Sequence, residues 1–362
     1  MNPIKILFVL PSLRAGGAER IVSFLSQNLN QNKFECVLLV VGNSKDVAYD
    51  VSKVKTIFLN KERVLKGVPG ILKIISREKP DIAMSSIGHL NMLLGFLAFY
   101  FPKIKFVIRE ANVNGELEKI AEKNKSNLSA QIGKLFGKTS KAKIKKIICQ
   151  SDDMYDDLKQ RAPHLEEKMV IINNPIVHLP KFLERKKTSD DFLQLITVGR
   201  LCNQKGQLRL IEMLGNLDLP YHYTLIGDGP KKEEIFQKIE SLGIGDKITH
   251  VSFTKEVPKY LLKSDIFLQG SYVEGFPNAL IESLVMGTPG IVFDTPGGTR
   301  EIIIDEINGY KVNSAQEFIK AIKKIYTGKF NSSHKTIRDS VVSRYSSDKI
   351  LDQYETMFEE LV

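Results

Sequence analysis

Short apolar runs alternate with helical patterns almost from end to end of this 362-residue chain, and this alternation constrains the fold more than any other feature. It is typical of β-α-β units and predicts parallel sheets covered by helices, an α/β class of fold. The predicted strands are 4–10, 34–41, 55–59, 81–85, 105–109, 144–150, 169–172, 192–198, 223–226, 247–251, 266–269 and 289–293. Since 362 residues exceed what one hydrophobic core usually serves, we expect two α/β domains with a ligand site in the cleft between them.

The alternation pauses once, at residues 173–191, where NNPIVHLPKFLERKKTSDD has two prolines, a charge run and no periodicity. We therefore predict an N-terminal domain at 1–175, a linker at 176–191 and a C-terminal domain at 192–342. Residues 343–362 predict a further helix, because apolar residues from Ile350 to Leu361 recur at helical spacing. That helix is expected to pack back on the N-terminal domain.

The cysteines and the apolar segments indicate the cellular compartment of the protein. Cys36, Cys149 and Cys202 are scattered and lack metal-ligand spacing, which predicts a reduced, intracellular protein without a structural metal. The first apolar segment is seven residues long and is interpreted as a strand, not a signal peptide. No apolar stretch approaches the ~20 residues of a membrane-spanning helix, so a soluble, cytoplasmic protein is expected.

Positive charge is concentrated in the N-terminal part of the chain. The net charge is +10, with +14 in residues 1–150 and −4 in residues 151–362. Much of the excess comes from nine lysines, Lys119, Lys123, Lys125, Lys134, Lys138, Lys141, Lys143, Lys145 and Lys146. They indicate either a solvated helical face or attraction to anionic lipid, which contributes about 1 kcal/mol per cation near the surface. A nucleic-acid partner is disfavoured, because Trp is absent and no recognition motif accompanies the lysines.

An apolar segment at 90–101, LNMLLGFLAFYF, also allows two interpretations. It can be a core helix or a segment that lies at a membrane interface. Together with the lysines it predicts peripheral binding to an anionic surface, at the inner face of the cytoplasmic membrane.

A glycine pair follows the first predicted strand, in PSLRAGGAER. Gly16 and Gly17 would let a ligand approach the backbone, and the helix that follows presents free N–H groups to an anion. A tight strand-to-helix turn also requires glycine for steric reasons alone. The absence of GxGxxG disfavours a nicotinamide or flavin enzyme.

The first strand of the C-terminal domain opens into GRLCNQKGQ. Gly199, Arg200 and Lys205 would thus lie at the carboxyl edge of that sheet, where open α/β sheets bind ligands. Arg offers a planar fork of donors and Lys a compact charge, so the two cations suit a diphosphate. The alternative is that they are surface ion-pair partners.

The most informative stretch is GSYVEGFPNALIESLVMGTP, residues 270–289. Pro277 can occupy the first turn of a helix, and Glu282 then lies inside that helix, eight positions after Glu274. Two carboxylates suit hydroxyl groups at either end of a sugar nucleotide, because each accepts several hydrogen bonds. The backbone groups expected to face a phosphate belong to Gly275, Phe276, Asn278 and Ala279.

With these motifs the chain resembles the retaining glycosyltransferases of family 4 over nearly its whole length. The matching stretches are SLRAGGAER, SSIGHLN, CQSDDMYDDL, VIINNP, VGRLCNQKGQ, LIGDGP, EGFPNALIE and TPGGTREII. The E-x7-E element from Glu274 to Glu282 is the most specific of them. The resemblance implies the GT-B fold, two Rossmann-like domains facing a cleft. The GGAER form is similar to members that build bacterial surface polysaccharides or lipid-linked oligosaccharides.

The resemblance also implies roles for the donor-side residues. Arg200 and Lys205 would hold the diphosphate and offset the charge that develops on the leaving group. Glu282 would bind the ribose, and Glu274 would contact hydroxyls of the transferred sugar.

On the other side of the expected cleft, Gly16 and Gly17 would lie near the donor phosphates and the acceptor. His89, in SSIGHLN after the fourth strand, would match the family histidine beside the reacting carbon, although a lone histidine can equally be structural. Arg300 stands where many members have proline, which leaves the acceptor open.

The family resemblance implies transfer with retention from a nucleotide diphosphate sugar, such as UDP-hexose or UDP-N-acetylhexosamine, to a glycan or lipid-linked glycan. No DxD occurs in the sequence, so no metal cofactor is expected and Arg200 and Lys205 would supply the electrostatic stabilisation. Two alternatives stay open: a non-hydrolysing sugar-nucleotide epimerase and a non-catalytic nucleotide-sugar binding protein.

Overall fold

The computed structural model describes residues 2–113, 115–116, 140–183 and 192–362. These form two compact units, unit 1 with Met1–Val177 and Ser347–Val362, and unit 2 with His178–Ser346. Residues 119–139 of the predicted lysine-rich segment and residues 184–191 of the predicted linker lie outside the described residues. No helix in the described ranges combines the length and the apolar character needed to cross a bilayer.

Unit 1 is built on a parallel sheet of seven described strands in the order β3-β2-β1-β4-β5-β6-β7. The strands are β1 Ile4–Leu10, β2 Phe34–Val40, β3 Lys55–Phe58, β4 Ile82–Ser85, β5 Lys105–Arg109, β6 Lys146–Cys149 and β7 Met169–Ile171. The described helices are α1 Gly17–Asn28, α2 Val64–Glu78, α3 Gly88–Tyr100 and α4 Asp152–Arg161. The central strands are almost entirely apolar because helices pack on both faces of a parallel sheet.

Unit 2 repeats this plan with six described strands in the order β10-β9-β8-β11-β12-β13. The strands are β8 Leu193–Val198, β9 Tyr221–Ile226, β10 Ile248–Val251, β11 Ile266–Gln269, β12 Gly290–Phe293 and β13 Gly309–Val312. The helices are α5 Gln207–Gly215, α6 Lys232–Ser241, α7 Val257–Lys263, α8 Asn278–Val285, α9 Thr299–Ile302, α10 Ala315–Tyr326 and α11 His334–Tyr345. All neighbouring strands of the sheet run parallel.

The last helix, α12 (Ser347–Glu359), returns to unit 1 as the sequence predicts. Its apolar stripe enters the core of that unit, where Tyr354 and Phe358 are fully buried. The Phe358 ring lies 6.4 Å from the ring of Phe8 and 6.2 Å from that of Phe34, both in edge-to-face orientation. The C-terminal residues are therefore part of the N-terminal core.

Each sheet has one point where the order of the strands reverses. β1 lies between β2 and β4, and β8 lies between β9 and β11. Open α/β sheets bind their ligands outside the carboxyl ends of the strands at such a point. The fold thus directs attention to the segments that follow β1, β4, β8 and β11, which contain the candidate residues of the sequence.

One described strand is absent from the sequence predictions. The strand β13 was not predicted, because four residues of mixed polarity, GYKV, give too short a pattern. Helix α3 packs one side in the core: Leu90 and Leu94 are buried, whereas Phe99 and Tyr100 at its end are exposed.

Candidate active site

Two glycines bring the loops after β8 and β11 into backbone contact. Gly206 has a left-handed backbone, with φ of 60°, and a Cβ added there would lie 1.9 Å from the carbonyl oxygen of Gly270. A Cβ on Gly270 would lie 2.5 Å from the carbonyl oxygen of Gly206. A side chain at either position would force the loops apart. Glycine at both positions is thus what lets Lys205 reach the end of the neighbouring strand.

Lys205 and Glu274 form a bidentate ion pair across these two loops. The Lys205 Nζ lies 2.7 Å from both carboxylate oxygens of Glu274. The hydroxyl of Ser271 donates a hydrogen bond to the same carboxylate, and the Glu274 N–H donates to the carbonyl of Pro296 at 3.1 Å. Glu274 is 5% exposed, while the Lys205 side chain is 30% exposed. The carboxylate is therefore fixed in position, and the cation retains access to solvent.

The loop that carries Glu274 rests on the TPGGT segment. Gly297 has φ of 111°, and a Cβ there would lie 1.6 Å from the carbonyl oxygen of Glu274. The Gly298 N–H donates to the Gly275 carbonyl at 3.0 Å. Buried Phe276 packs edge-to-face on Tyr345, with ring centroids 5.2 Å apart. These contacts explain why the sequence needs glycines in this segment.

Helix α8 begins directly after this loop. Pro277 precedes the helix as its N-cap instead of occupying the first turn. Asn278 and Ala279 are partly exposed in that first turn, and Glu282 follows one turn later, also partly exposed. Backbone N–H groups in the first turn of a helix lack intrahelical acceptors and favour anions. The N-terminus of α8, a position that favours anions, thus lies between the two carboxylates of the E-x7-E element along the chain.

Arg200 does not join the Lys205–Glu274 pair. Its side chain is exposed and makes no hydrogen bond or ion pair with any described residue. Its carbonyl accepts a hydrogen bond from the Gln207 side chain at 2.9 Å, which fixes the backbone beside Gly199. Arg200 is thus a solvated cation at the carboxyl end of β8.

In unit 1, the turn after β1 is held by a tyrosine. The Tyr49 hydroxyl accepts from the Gly16 N–H and donates to the Gly16 carbonyl, both at 2.9 Å. Gly17 is exposed and begins α1. A Cβ on Gly16 would lie 2.2 Å from a carboxylate oxygen of Glu19, whose pKa is raised by burial. Since that oxygen is the end of a flexible side chain that can move aside, it is the contact with Tyr49 that holds this turn.

His89 lies in the first turn of α3 and is exposed. The segment before it is tied to β5 by a buried network. The Ser85 hydroxyl donates to the Asn91 side chain at 2.7 Å, and Asn91 donates to the Arg109 carbonyl at 2.9 Å. An Arg109 Nη donates to the Ser86 hydroxyl at 2.8 Å.

Arg109 itself is the residue of unit 1 that sequence reasoning missed. It is 1% exposed, and its other Nη donates to the Asn174 side chain. Burial lowers its pKa. A charged residue that ends an apolar strand, as in KFVIR, was the available signal. Its contacts lie on distant segments and leave no local pattern.

Ser271 and Arg209 were missed in unit 2. Ser271 stands three residues before Glu274, a spacing at which a hydroxyl can reach a carboxylate. Arg209 gave no local signal, because it lies on α5 and contacts residues about 60 positions away. Arg300, noted as a departure from the family pattern, pairs with Asp294 at 2.6 Å. Within the described residues, no group of three or more His, Cys, Asp or Glu side chains is placed to hold a metal ion.

Comparison with known proteins decides the family. The protein-family model described as Glycosyltransferase Family 4 matches residues 15–178, and the one described as Glycosyl transferases group 1 matches residues 180–340. The chain belongs to glycosyltransferase family 4. Together the two models cover all the candidate residues of this family 4 enzyme.

One curated relative is an N-acetylgalactosaminyltransferase of Campylobacter jejuni named for an N-acetylgalactosamine-N,N'-diacetylbacillosaminyl-diphospho-undecaprenol acceptor. It is 26% identical over 86% of this chain and 87% of its own length. Among solved structures, the lipopolysaccharide outer core galactosyltransferase WaaB superposes with a TM-score of 0.76 at 18% identity, over 99% of this chain and 100% of that chain. HepE of Anabaena in complex with UDP-glucose has a TM-score of 0.79 at 16% identity, with the same coverage. These likenesses establish the GT-B fold of the glycosyltransferase.

Proposed function

We propose that this family 4 glycosyltransferase moves a hexose or N-acetylhexosamine from a UDP-sugar to a lipid-linked glycan, with retention, in the assembly of a bacterial surface glycan. The observation that carries the proposal is the Lys205–Glu274 pair beside the N-terminus of α8. It combines a cation for a diphosphate, a fixed carboxylate for sugar hydroxyls and a helix terminus for a phosphate. HepE in complex with UDP-glucose and the diphospholipid acceptor in the name of the Campylobacter relative support the choice of donor and acceptor.

Each donor-side residue has a defined task in this proposal. Lys205 and Arg200 bind the diphosphate, and Glu282 on α8 accepts hydrogen bonds from the ribose hydroxyls. Glu274 accepts hydrogen bonds from hydroxyls of the sugar. Because Lys205 already contacts Glu274, a diphosphate that approaches Lys205 also brings its sugar close to this carboxylate. Lys205 thus positions the diphosphate of the donor, and Glu274 positions its sugar.

The residues of unit 1 complete the proposal. For these residues the proposal rests on the family resemblance: Gly16 and Gly17 bind the donor phosphates and the acceptor, and His89 acts at the reacting carbon. The bond from the anomeric carbon to the phosphate oxygen breaks, and a bond to the acceptor oxygen forms on the same face. The acceptor proton passes to the departing phosphate, so no protein base is consumed. Lys205 and Arg200 stabilise the charge on that phosphate without a divalent metal.

The primary test is calorimetric titration of UDP, GDP and ADP into the wild type and Glu282→Ala, in EDTA. UDP is expected to bind, and the substitution is expected to weaken binding at least tenfold. Glu240→Ala, at an exposed position of the same unit, is the matched control and should bind UDP like the wild type. Failure of all three nucleotides to bind the wild type would refute the proposal.

Transfer is then measured from UDP-hexoses and UDP-N-acetylhexosamines to a synthetic polyprenyl-diphosphate-linked N-acetylhexosamine. Retention is read from the NMR coupling constant of the new anomeric proton, and an inverted product would contradict the mechanism. Turnover of the donor without any acceptor would instead favour an epimerase. Binding without transfer to any acceptor would favour a nucleotide-sugar binding protein.

We also propose that α3 contacts an anionic membrane surface. Tyr100 is 78% exposed, Phe99 is 45% exposed, and exposed Lys103 follows them. Aromatic rings suit the headgroup level of a bilayer, and the basic charge of the N-terminal part attracts anionic lipid. Co-sedimentation with phosphatidylglycerol vesicles should occur at low salt and fall steeply as salt is raised. Binding to the vesicles should weaken in the Phe99→Ser/Tyr100→Ser double variant. Equal binding of that variant would show that α3 does not contact the membrane.

A further inference from the structure

Arg209, near the start of α5, reaches from its helix to the end of β11. Its Nε donates to the Gly270 carbonyl at 2.5 Å, and an Nη donates to the carbonyl of the next residue, Ser271. Two consecutive carbonyls at the end of a strand are thus bound by one guanidinium. A planar fork of donors can make this contact, and a lysine ammonium cannot reproduce it.

Two aromatic rings hold the same guanidinium. Its central carbon lies 3.6 Å from the ring centroid of Phe293, the last residue of β12, and 4.1 Å from that of Tyr272. Both distances are within the range of a favourable cation–π contact. Tyr272 belongs to the loop that leads to Glu274, so Arg209 binds this loop through its backbone and through a side chain.

The charge of Arg209 has no carboxylate partner in the part of the chain that the structure describes. Burial lowers the pKa of the guanidinium to about 10, so the group is still cationic at neutral pH. A partly buried cation without a counterion is costly, and an apolar side chain at this position would avoid that cost. The contacts that offset this cost are the two carbonyls and the two aromatic rings.

The segment from Gly270 to Glu274 is held at three successive points. Arg209 binds its first two carbonyls, the Gln204 side chain donates to the Val273 carbonyl at 3.0 Å, and Lys205 binds the Glu274 carboxylate. Ser271, whose carbonyl Arg209 binds, also orients Glu274 through its hydroxyl. Arg209 therefore acts on the first link of the chain of contacts that ends at this carboxylate.

We infer that Arg209 is a positioning residue that sets the Glu274 carboxylate for the hydroxyls of the transferred sugar, and so governs recognition of the sugar half of the donor. The inference rests on the proposed role of Glu274. Glu282 lies beyond Pro277, on α8, and the carbonyls that Arg209 binds are not part of this helix. Loss of Arg209 should therefore separate recognition of the sugar from binding of the nucleotide.

The experiment compares Arg209→Met and Arg209→Lys with the wild type, using UDP and the UDP-sugar that the wild type transfers. Arg209→Met is expected to lower kcat/KM for the UDP-sugar at least thirtyfold, with the Kd for UDP changed less than threefold. Arg209→Lys retains the charge but loses the fork and should recover only part of the activity. Arg338→Met is the matched control, because Arg338 also donates to two carbonyls, those of Pro180 and of Val285 at the end of α8, and neither belongs to the segment from Gly270 to Glu274. The control should keep the ratio of UDP-sugar to UDP affinity.

The inference would be overturned if Arg209→Met bound UDP and the UDP-sugar more weakly by the same factor. A wild-type kcat/KM in Arg209→Met would also overturn it. If Arg209→Met does not fold, as judged by circular dichroism, Tyr272→Leu provides the same test at an exposed position, with a smaller expected fall in kcat/KM. Glu274→Gln separates this inference from the proposed function. If Glu274→Gln is fully active, the role of Glu274 is wrong; if it is inactive and Arg209→Met is not impaired, the Arg209 inference alone is wrong.

Discussion

The carboxyl edges of the two sheets have the same strand order around their reversal points and use it differently. In unit 2, the loops after β8 and β11 meet through Gly206 and Gly270 and present the partly exposed Lys205. In unit 1, the carboxyl end of β5 carries Arg109, which is 1% exposed and belongs to a buried polar network. The same topology therefore carries a partly exposed polar pair in unit 2 and includes a buried polar network in unit 1. Strand order places residues at an edge, and the side chains decide whether that edge binds a ligand or secures the fold.

The two arginines show the difference most directly. Arg209 binds backbone carbonyls and two aromatic rings beside Glu274, while Arg109 binds the polar side chains of Ser86 and Asn174. Burial lowers the pKa of both. We expect substitutions around Glu274 in unit 2 to affect catalysis first, and those in the buried network around Arg109 in unit 1 to affect stability first.

The largest effect is expected for Glu274→Gln, in unit 2. The amide keeps the shape of the side chain but loses the charge that holds Lys205, and kcat/KM for the donor should fall about 10³-fold, or about 4 kcal/mol. Steady-state transfer assays measure it. Glu212→Gln is the matched control, since Glu212 pairs with Lys238 at 3.0 Å on the surface of the same unit. A comparable fall in the control would show that any ion pair of unit 2 matters equally.

Arg109→Met, in unit 1, should lower the free energy of unfolding by about 3 kcal/mol, because it leaves the buried Ser86 and Asn174 side chains without their donor. Urea unfolding measures the loss. Calorimetry of the folded variant should give the wild-type Kd for UDP. Arg63→Met, at an exposed position of unit 1, should unfold like the wild type. If Arg109→Met lost its affinity for UDP and kept the wild-type stability, Arg109 would serve ligand binding and not the fold.

Gly206→Ala should destabilise the protein by about 2 kcal/mol and raise KM for the donor, because a left-handed backbone and the Gly270 carbonyl both oppose a Cβ. Gly243→Ala separates the two causes. Gly243 has nearly the same backbone, with φ of 64°, and a Cβ there would meet nothing within 4 Å. Thermal unfolding should therefore show about half the loss in Gly243→Ala. Equal losses would mean that the contact between the loops contributes nothing.

The smallest effect concerns two cysteines at the two edges. Cys149 ends β6 in unit 1 and is buried, which raises its pKa to about 12, whereas Cys202 follows β8 in unit 2 and is partly exposed. Maleimide at pH 8 should modify Cys202 at least tenfold faster, as read by mass spectrometry. Because the folded-state pKa of Cys149 is raised, its contribution to stability is present below about pH 9 and is lost as the pH rises towards 12. Faster labelling of Cys149 would show that the edge of unit 1 opens readily.

Much of the fold could be predicted from the sequence. The alternation of apolar runs predicts twelve of the thirteen described strands, and the i, i+4, i+7 stripe predicts the burial of α12 in a core. The GT-B fold followed from motif resemblance and is confirmed by the structural neighbours. β13 was missed because its pairing with β12 depends on Gly309, where a Cβ would lie 1.9 Å from the Gly290 carbonyl, and not on an apolar pattern.

The sequence by itself determined the residue types of the site and their local spacing, such as the eight positions from Glu274 to Glu282, because one helix and its entry loop fix that geometry. Only the tertiary structure decided that Lys205 meets Glu274, 69 residues away, and that Arg209 binds the same loop. It also decided that Arg109 is buried. The physical reason is that such contacts depend on which strands are neighbours in the sheet, and the order β8–β11 brings together loops that no local pattern connects.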